Sequence, residues 1–190
     1  MKQFLPLCLV LSGCAELFGA DTAAGPDATS SYDGGWSIGA CRDDVVGEGN
    51  AEGQVAQNFT LVDQYDQAIE LHAFCDRVVY VVFGASQDGP TRADADDLQE
   101  LHAAHAAEGF MAVQVLVEND AGGAPATDDL QAWAANYEMT IPVLADPGGA
   151  VMATFDAESD ELPLTVVRDE GAVIDAIRHA SQLEEVAEKF

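Results

Sequence analysis

The chain has 190 residues, a length that suits one ordinary domain plus a tether, and carries 34 acidic against 7 basic residues for a formal charge of −27. Such an excess of negative charge repels a phosphate backbone and excludes nucleic acid as a partner. Apolar residues still make up 48%, so the acidity coats a chain able to bury a core and does not imply disorder throughout.

Met1-Lys2-Gln3 precedes the apolar stretch Phe4 to Leu11 and the sequence Leu11-Ser12-Gly13-Cys14. The apolar run is too short to span a bilayer. A charged start, a short apolar core and small residues before a cysteine resemble the signal and lipobox of a bacterial lipoprotein. That resemblance implies removal of residues 1–13 and a lipid-modified Cys14 as the new first residue. Membrane lipid is then a partner, reached through acyl chains and not a helix. It also implies a place in the cell envelope, facing the periplasm or the cell surface. Residues 14–40, rich in Gly, Ala, Ser, Thr and Asp, read as a flexible tether in which Trp36 and Ile38 can dock on a domain edge. The folded domain is expected over 41–190.

Phe59 to Val62 and Ile69 to His72, around the turn Asp63 to Gln67, predict a hairpin. Val78 to Phe83 is an unbroken β-branched and aromatic run, the pattern of a strand buried on both faces of a parallel or mixed sheet. Gln87-Asp88-Gly89-Pro90 then leads into helical spacing at Leu98, Leu101, His105 and Gly109, so a helix is expected from Gly89. Asp88 suits its N-cap and Pro90 its first turn, where a missing N–H costs nothing. Phe110 to Val117 is a second buried strand. After the loop Glu118 to Ala126, a helix is expected from Thr127 with Leu130, Trp133, Ala134 and Tyr137 on one face. Ile141 to Leu144 reads as a short apolar segment, and Val151, Met152 and Phe155 as a short helix. Leu164 to Val167 and Val173 to Ile177 form a second hairpin signal, and Leu183, Val186, Ala187 and Phe190 a closing amphipathic helix.

The stretch Phe83 to Arg92, F-G-A-S-Q-D-G-P-T-R, resembles the F-W-A-S-W-C-G-P-C-R of redoxin and TlpA-like thiol:disulfide oxidoreductases. Ala85, Ser86, Gly89, Pro90 and Arg92 match, whereas Asp88 stands at the nucleophilic cysteine and Thr91 at the resolving one. Leu162 to Gly171, L-P-L-T-V-V-R-D-E-G, is similar to that family's P-T-T-F-L-I-D-x-x-G region, which implies a cis peptide at Pro163 facing the loop. The resemblance implies an α/β, thioredoxin-like three-layer sandwich: a mixed central sheet flanked by helices, with an N-terminal β-hairpin extension. It also implies a binding or scaffold module without C-x-x-C catalysis. The groove would be formed by Ser86, Gln87, Asp88, Gly89, Pro90, Thr91, Leu162 and Pro163, and would take an extracytoplasmic peptide or protein. No cofactor is expected.

If Cys8 leaves with the signal and Cys14 carries lipid, Cys41 and Cys75 remain as an even pair, open to three readings: a structural disulfide, a redox centre, or two free thiols. The enzyme alternative is a thiol:disulfide oxidoreductase using Cys41 and Cys75 or a partner's cysteines. A peroxiredoxin P-x-x-x-T-x-x-C is disfavoured, because aligning Thr91 puts Gln87 and Asp94 where proline and cysteine belong. A G-x-S-x-G elbow fails by one residue at Gly84 to Gly89. His102 and His105 have a spacing that can serve a metal, but a helix face explains them as well. Asp156, Glu158 and Asp160 begin like a calcium loop that Glu161 breaks where glycine is required. No metal site is expected.

Overall fold

The computed structural model describes residues 31–39, 45–156 and 161–190. The signal segment, Cys14, most of the expected tether, Cys41, Glu158 and Asp160 lie outside the described residues. The strands are β1 (Thr60–Asp63), β2 (Ala68–Glu70), β3 (Val78–Ala85), β4 (Phe110–Glu118), β5 (Val143–Ala145), β6 (Leu164–Arg168) and β7 (Ile174–Arg178). The helices are α1 (Gly89–His105), α2 (Thr127–Asn136), α3 (Met152–Phe155) and α4 (Leu183–Ala187). They build a thioredoxin-like α/β sandwich on one mixed sheet of order β2-β1-β5-β4-β3-β6-β7.

Period-two alternation divides the central strands between two cores. Val79, Val81 and Phe83 of β3, with Met111, Val113, Val115 and Val117 of β4, face a layer holding Phe74, Phe155 and Trp36. Tyr80 and Val82, with Phe110, Ala112 and Leu116, face Leu98 of α1, Leu130 and Trp133 of α2, and Val186 of α4. β3 runs parallel to β4 and antiparallel to β6, so both its edges are paired and its backbone polar groups are met by the ladders, while the two cores cover its faces.

The hairpin β1–β2 pairs Thr60 with Glu70 and adds to the edge of β5. Its turn is held by Asp63, whose Oδ1 accepts from the backbone N–H groups of Tyr65 and Gln67, each at 2.8 Å. Second-hairpin closure uses the same device, with Asp169 Oδ1 accepting from Val173 N at 2.8 Å.

Several details depart from the sequence reading. His72 does not close β2; Leu71–Phe74 winds into a 3-10 turn, and the buried imidazole lies with Nε2 2.7 Å from the Ala56 carbonyl oxygen. Within the apolar segment from Ile141, a strand starts at Val143, after Pro142, which has no N–H for the ladder. Ile141 stays buried, and its carbonyl accepts from Gln64 Nε2 at 3.0 Å. In α1 the inward stripe is Thr91, Ala95, Leu98 and His102; Leu101 and His105 lie half-buried on its flank. The helix stops at His105, short of Gly109, whose φ of 94° lets the chain turn back into β4. α4 ends at Ala187, leaving Phe190 to stack on His105 with ring centroids 5.0 Å apart.

The packed body also begins before residue 41. Trp36 is buried against Tyr65 and donates from Nε1 to the Thr140 carbonyl oxygen at 2.8 Å. Gly39 donates its N–H to Ala73 O at 2.8 Å, and a Cβ there would lie 1.8 Å from the Cys75 carbonyl oxygen, so only glycine permits this approach.

Candidate functional site

β3 delivers the loop Ser86 to Asp88 to the carboxyl end of the parallel strands, the edge at which open α/β sheets place their sites. Ser86 N donates to Glu118 O at 3.0 Å, continuing the β3–β4 ladder, and Asp88 N donates to Ala85 O at 3.0 Å, closing a turn. Asp88 is extended, with φ −73° and ψ 130°, and caps α1 as its sequence position predicts. Its Oδ2 accepts twice, from Thr91 N and from Thr91 Oγ1, each at 2.8 Å.

Asp88 and Thr91 are therefore joined as a carboxylate and a hydroxyl. Thr91 is only 1% exposed. Its methyl lies over the Gly84 backbone, where an added Cβ would fall 2.3 Å from Thr91 Cγ2 and 2.5 Å from Oγ1. Glycine at 84, in place of the aromatic residue in the family pattern, admits the inward threonine. Thr91 is thereby committed to the interior, and Asp88 to holding it.

The rest of the loop is tied to the neighbouring 119–126 connection. Gln87 Nε2 donates to Glu118 Oε2 at 2.9 Å. Arg92 donates from Nε to Ser86 O and pairs through Nη2 with Asp120 Oδ1 at 2.8 Å. Gly89 and Pro90 stand exposed at the helix start.

The Leu162–Pro163 bond is cis. Pro163 immediately precedes Leu164, the residue of β6 paired with Phe83, which brings Pro163 to the β3 end that launches the loop. Pro163 is buried and Leu162 half-buried. A cavity of about 410 Å³ does open at the loop, but on its other flank. Ser86, Arg92, Asp120, Trp133, Asn136 and Tyr137 line it, whereas Asp88, Thr91 and Pro163 do not. Trp133 and Tyr137 carried only a core signal in the sequence, because an aromatic pair one helical turn apart reads the same in a core and in a cavity wall.

Cys75 is fully buried and disulfide-bonded; Cys41 lies outside the described residues. The Gly39 contact brings the chain that leads to Cys41 beside Cys75. The histidines do not converge. His102 turns inward, and His105 pairs through Nδ1 with Glu108 Oε2 at 2.6 Å. Among the described residues no group of three or more His, Cys, Asp or Glu side chains could hold a metal ion.

The sequence profile of the AhpC/TSA family matches residues 53–177. The chain belongs to the AhpC/TSA family. Solved structures share the fold of this AhpC/TSA domain at low identity. The thioredoxin domain of a thiol-disulfide oxidoreductase from Bacteroides vulgatus superposes with a TM-score of 0.60 at 18% identity, over 73% of this chain and 96% of that one. A secreted thiol-disulfide isomerase from Corynebacterium glutamicum gives 0.58 at 20% identity, over 71% and 81%. A secreted disulfide oxidoreductase of Mycobacterium tuberculosis, described as homologous to DsbE of Escherichia coli, gives 0.55 at 15% identity, over 69% and 92%. No match was found among curated proteins. Within this AhpC/TSA domain, the loop between β3 and α1 carries a carboxylate at Asp88 and a hydroxyl at Thr91.

Proposed function

We propose that this domain is an extracytoplasmic peptide- or protein-binding module, tethered to the membrane through a lipid on Cys14, in which C-x-x-C catalysis is absent. The observation that carries this reading is the Asp88–Thr91 pair. Thiol–disulfide exchange needs a thiolate to attack and a second sulfur to resolve the mixed disulfide. Position 88 holds instead a carboxylate that satisfies two donors of its own helix turn at 2.8 Å. The positive helix end that would stabilise a thiolate is occupied by this fixed anion.

The binding surface is the exposed rim of Gln87, Gly89 and Pro90 and the half-buried Asp88, with Ser86, Thr91, Leu162 and Pro163 behind it. The family resemblance suggests an extended peptide bound through main-chain hydrogen bonds beside Pro163. An oxidising compartment agrees with the disulfide at Cys75, and two of the relatives above are described as secreted.

Insulin reduction in the presence of dithiothreitol tests the absence of catalysis. The wild-type domain is expected to give no turnover above the uncatalysed rate. Turnover that disappears in Cys75→Ser would establish the alternative, an oxidoreductase built on Cys41 and Cys75. The complete burial of Cys75 speaks against that alternative, since exchange requires an accessible sulfur.

A further inference from the structure

The cavity of about 410 Å³ opens on the α2 side of the rim assigned above to a peptide. One wall comes from α2 itself. Trp133 and Tyr137, one helical turn apart, pack with ring centroids 4.6 Å apart and make that wall aromatic. Ser86 reaches the cavity from the end of β3. It is 5% exposed, and its hydroxyl has no hydrogen-bond partner among the described residues. Unlike the sealed Nε1 of Trp133, the Ser86 Oγ is open to solvent at the cavity wall.

Two carboxylates and one guanidinium complete the lining. Arg92 is engaged within the protein: Nε donates to Ser86 O and Nη2 to Asp120 Oδ1, so Asp120 balances its charge. Asp129 has no such cation. Its Oδ2 accepts from two neutral donors, Ala126 N at 2.8 Å and Asn119 Nδ2 at 3.3 Å, whereas Oδ1 accepts from none among the described residues. The cavity therefore sets a half-buried carboxylate without a counter-charge beside two aromatic rings and an unpartnered hydroxyl. Aromatic faces attract cations, and a guanidinium both stacks on a ring and spreads its N–H donors in one plane, enough to serve Asp129 Oδ1, the Ser86 hydroxyl and the Asn136 amide oxygen together. An ammonium has fewer donors and no plane to stack. The formal charge of −27 draws such a cation toward the protein.

We propose that this cavity is a pocket for the guanidinium of an arginine side chain presented by the bound peptide. The inference rests on the peptide-binding reading of the loop and adds what that peptide carries beside the rim. Asp129 supplies the charge, Tyr137 and Trp133 the stacking surface, and Ser86 joins the pocket to the loop.

Calorimetric titration of the full chain with N-acetyl-argininamide tests the pocket by itself, and titration with an alanine pentapeptide carrying a central arginine tests pocket and rim together. Saturable binding of one probe per chain is expected in both. Asp129→Asn, which keeps an acceptor for Ala126 N, should weaken it by about tenfold or more, as should replacing the probe's arginine by its neutral isostere citrulline. Tyr137→Leu, which removes a ring and keeps an apolar side chain, should weaken it severalfold. Argininamide binding that the pentapeptide does not exceed supports the pocket and counts against the rim. A pentapeptide bound equally well with arginine or citrulline overturns the pocket and leaves the rim standing. The pocket is also overturned by no saturable binding of either probe, by binding unchanged in Asp129→Asn, or by tighter binding of N-acetyl-lysinamide.

Discussion

Replacing Asp88 by alanine removes two hydrogen bonds at once. The N-cap bond to Thr91 N is worth about 1 kcal/mol. The second loss is larger, because the Thr91 hydroxyl is 1% exposed and bonded to the same oxygen at 2.8 Å, so it is stranded without water. An unsatisfied buried donor costs about 1–3 kcal/mol. Asp88→Ala is therefore expected to destabilise by about 2–4 kcal/mol in urea unfolding, which for a domain of this size corresponds to roughly 4–16 °C in Tm. Asp88→Asn keeps an acceptor and forfeits mainly the charge at the helix end, about 0.3–1 kcal/mol. Thr91→Val alone keeps the methyl over Gly84 and loses one hydrogen bond, about 0.5–1.5 kcal/mol. The sharper consequence is in the double variant: with Thr91→Val present, no hydroxyl is left unpaired, so Asp88→Ala/Thr91→Val should be more stable than Asp88→Ala alone by about 1 kcal/mol. An Asp88→Ala variant within about 0.5 kcal/mol of wild type, as for an ordinary surface position, would refute the reasoning. So would a double variant that is less stable than Asp88→Ala.

Gly84→Ala should cost about 1–3 kcal/mol by overpacking against Thr91, and Thr91→Ala in the same chain should recover most of it, as read by thermal unfolding. His179 donates to Asp156, with Nε2 2.8 Å from Oδ2, and this partner raises its pKa above 6.5. The stabilisation from this pair is therefore fully present below pH 6.5 and is lost as pH rises through the higher folded value. Since the pair is partly exposed, its size is below about 1 kcal/mol. His179→Gln should flatten the fall in stability over that interval, and an unchanged pH profile would contradict the assignment. Asp88→Cys/Thr91→Cys creates Cys-Gly-Pro-Cys at the start of α1 and should confer insulin reduction, where none is expected of the wild type; an inert, folded, reducible variant would show that this loop does not present thiols.

The Ser86–Thr91 loop is fixed largely by its backbone and by side chains that satisfy that backbone. The strand exit, the cap and the neighbouring cis proline are all properties of main-chain geometry. They tolerate different side chains, provided those side chains satisfy the same donors. Asp88 does so at the helix start, and Gly84 makes space for the inward Thr91.

What the sequence alone determined here are features decided within a few residues. The run Val78 to Phe83 specifies a strand by its β-branched and aromatic content, Asp88-Gly89-Pro90 starts a helix by capping chemistry, and Asp63 and Asp169 close turns with their own carboxylates. Tertiary structure decided whatever depends on partners distant in the chain. It turned His102 inward and left Leu101 and His105 on the flank of α1, because which stripe of a weakly amphipathic helix is buried depends on the strand beneath it. It drew Trp36 out of an apparently featureless polar stretch to bond a carbonyl 104 residues away, and set the Tyr80 hydroxyl to accept from Gln182 N across 102 residues. It also put the loop's cavity on the α2 side and enclosed Arg77, a residue with nothing unusual beside it in sequence. Local patterns carry period and hydrogen-bonding capacity. Burial, pairing and the loss of water around a charge arise only when remote segments close over one another.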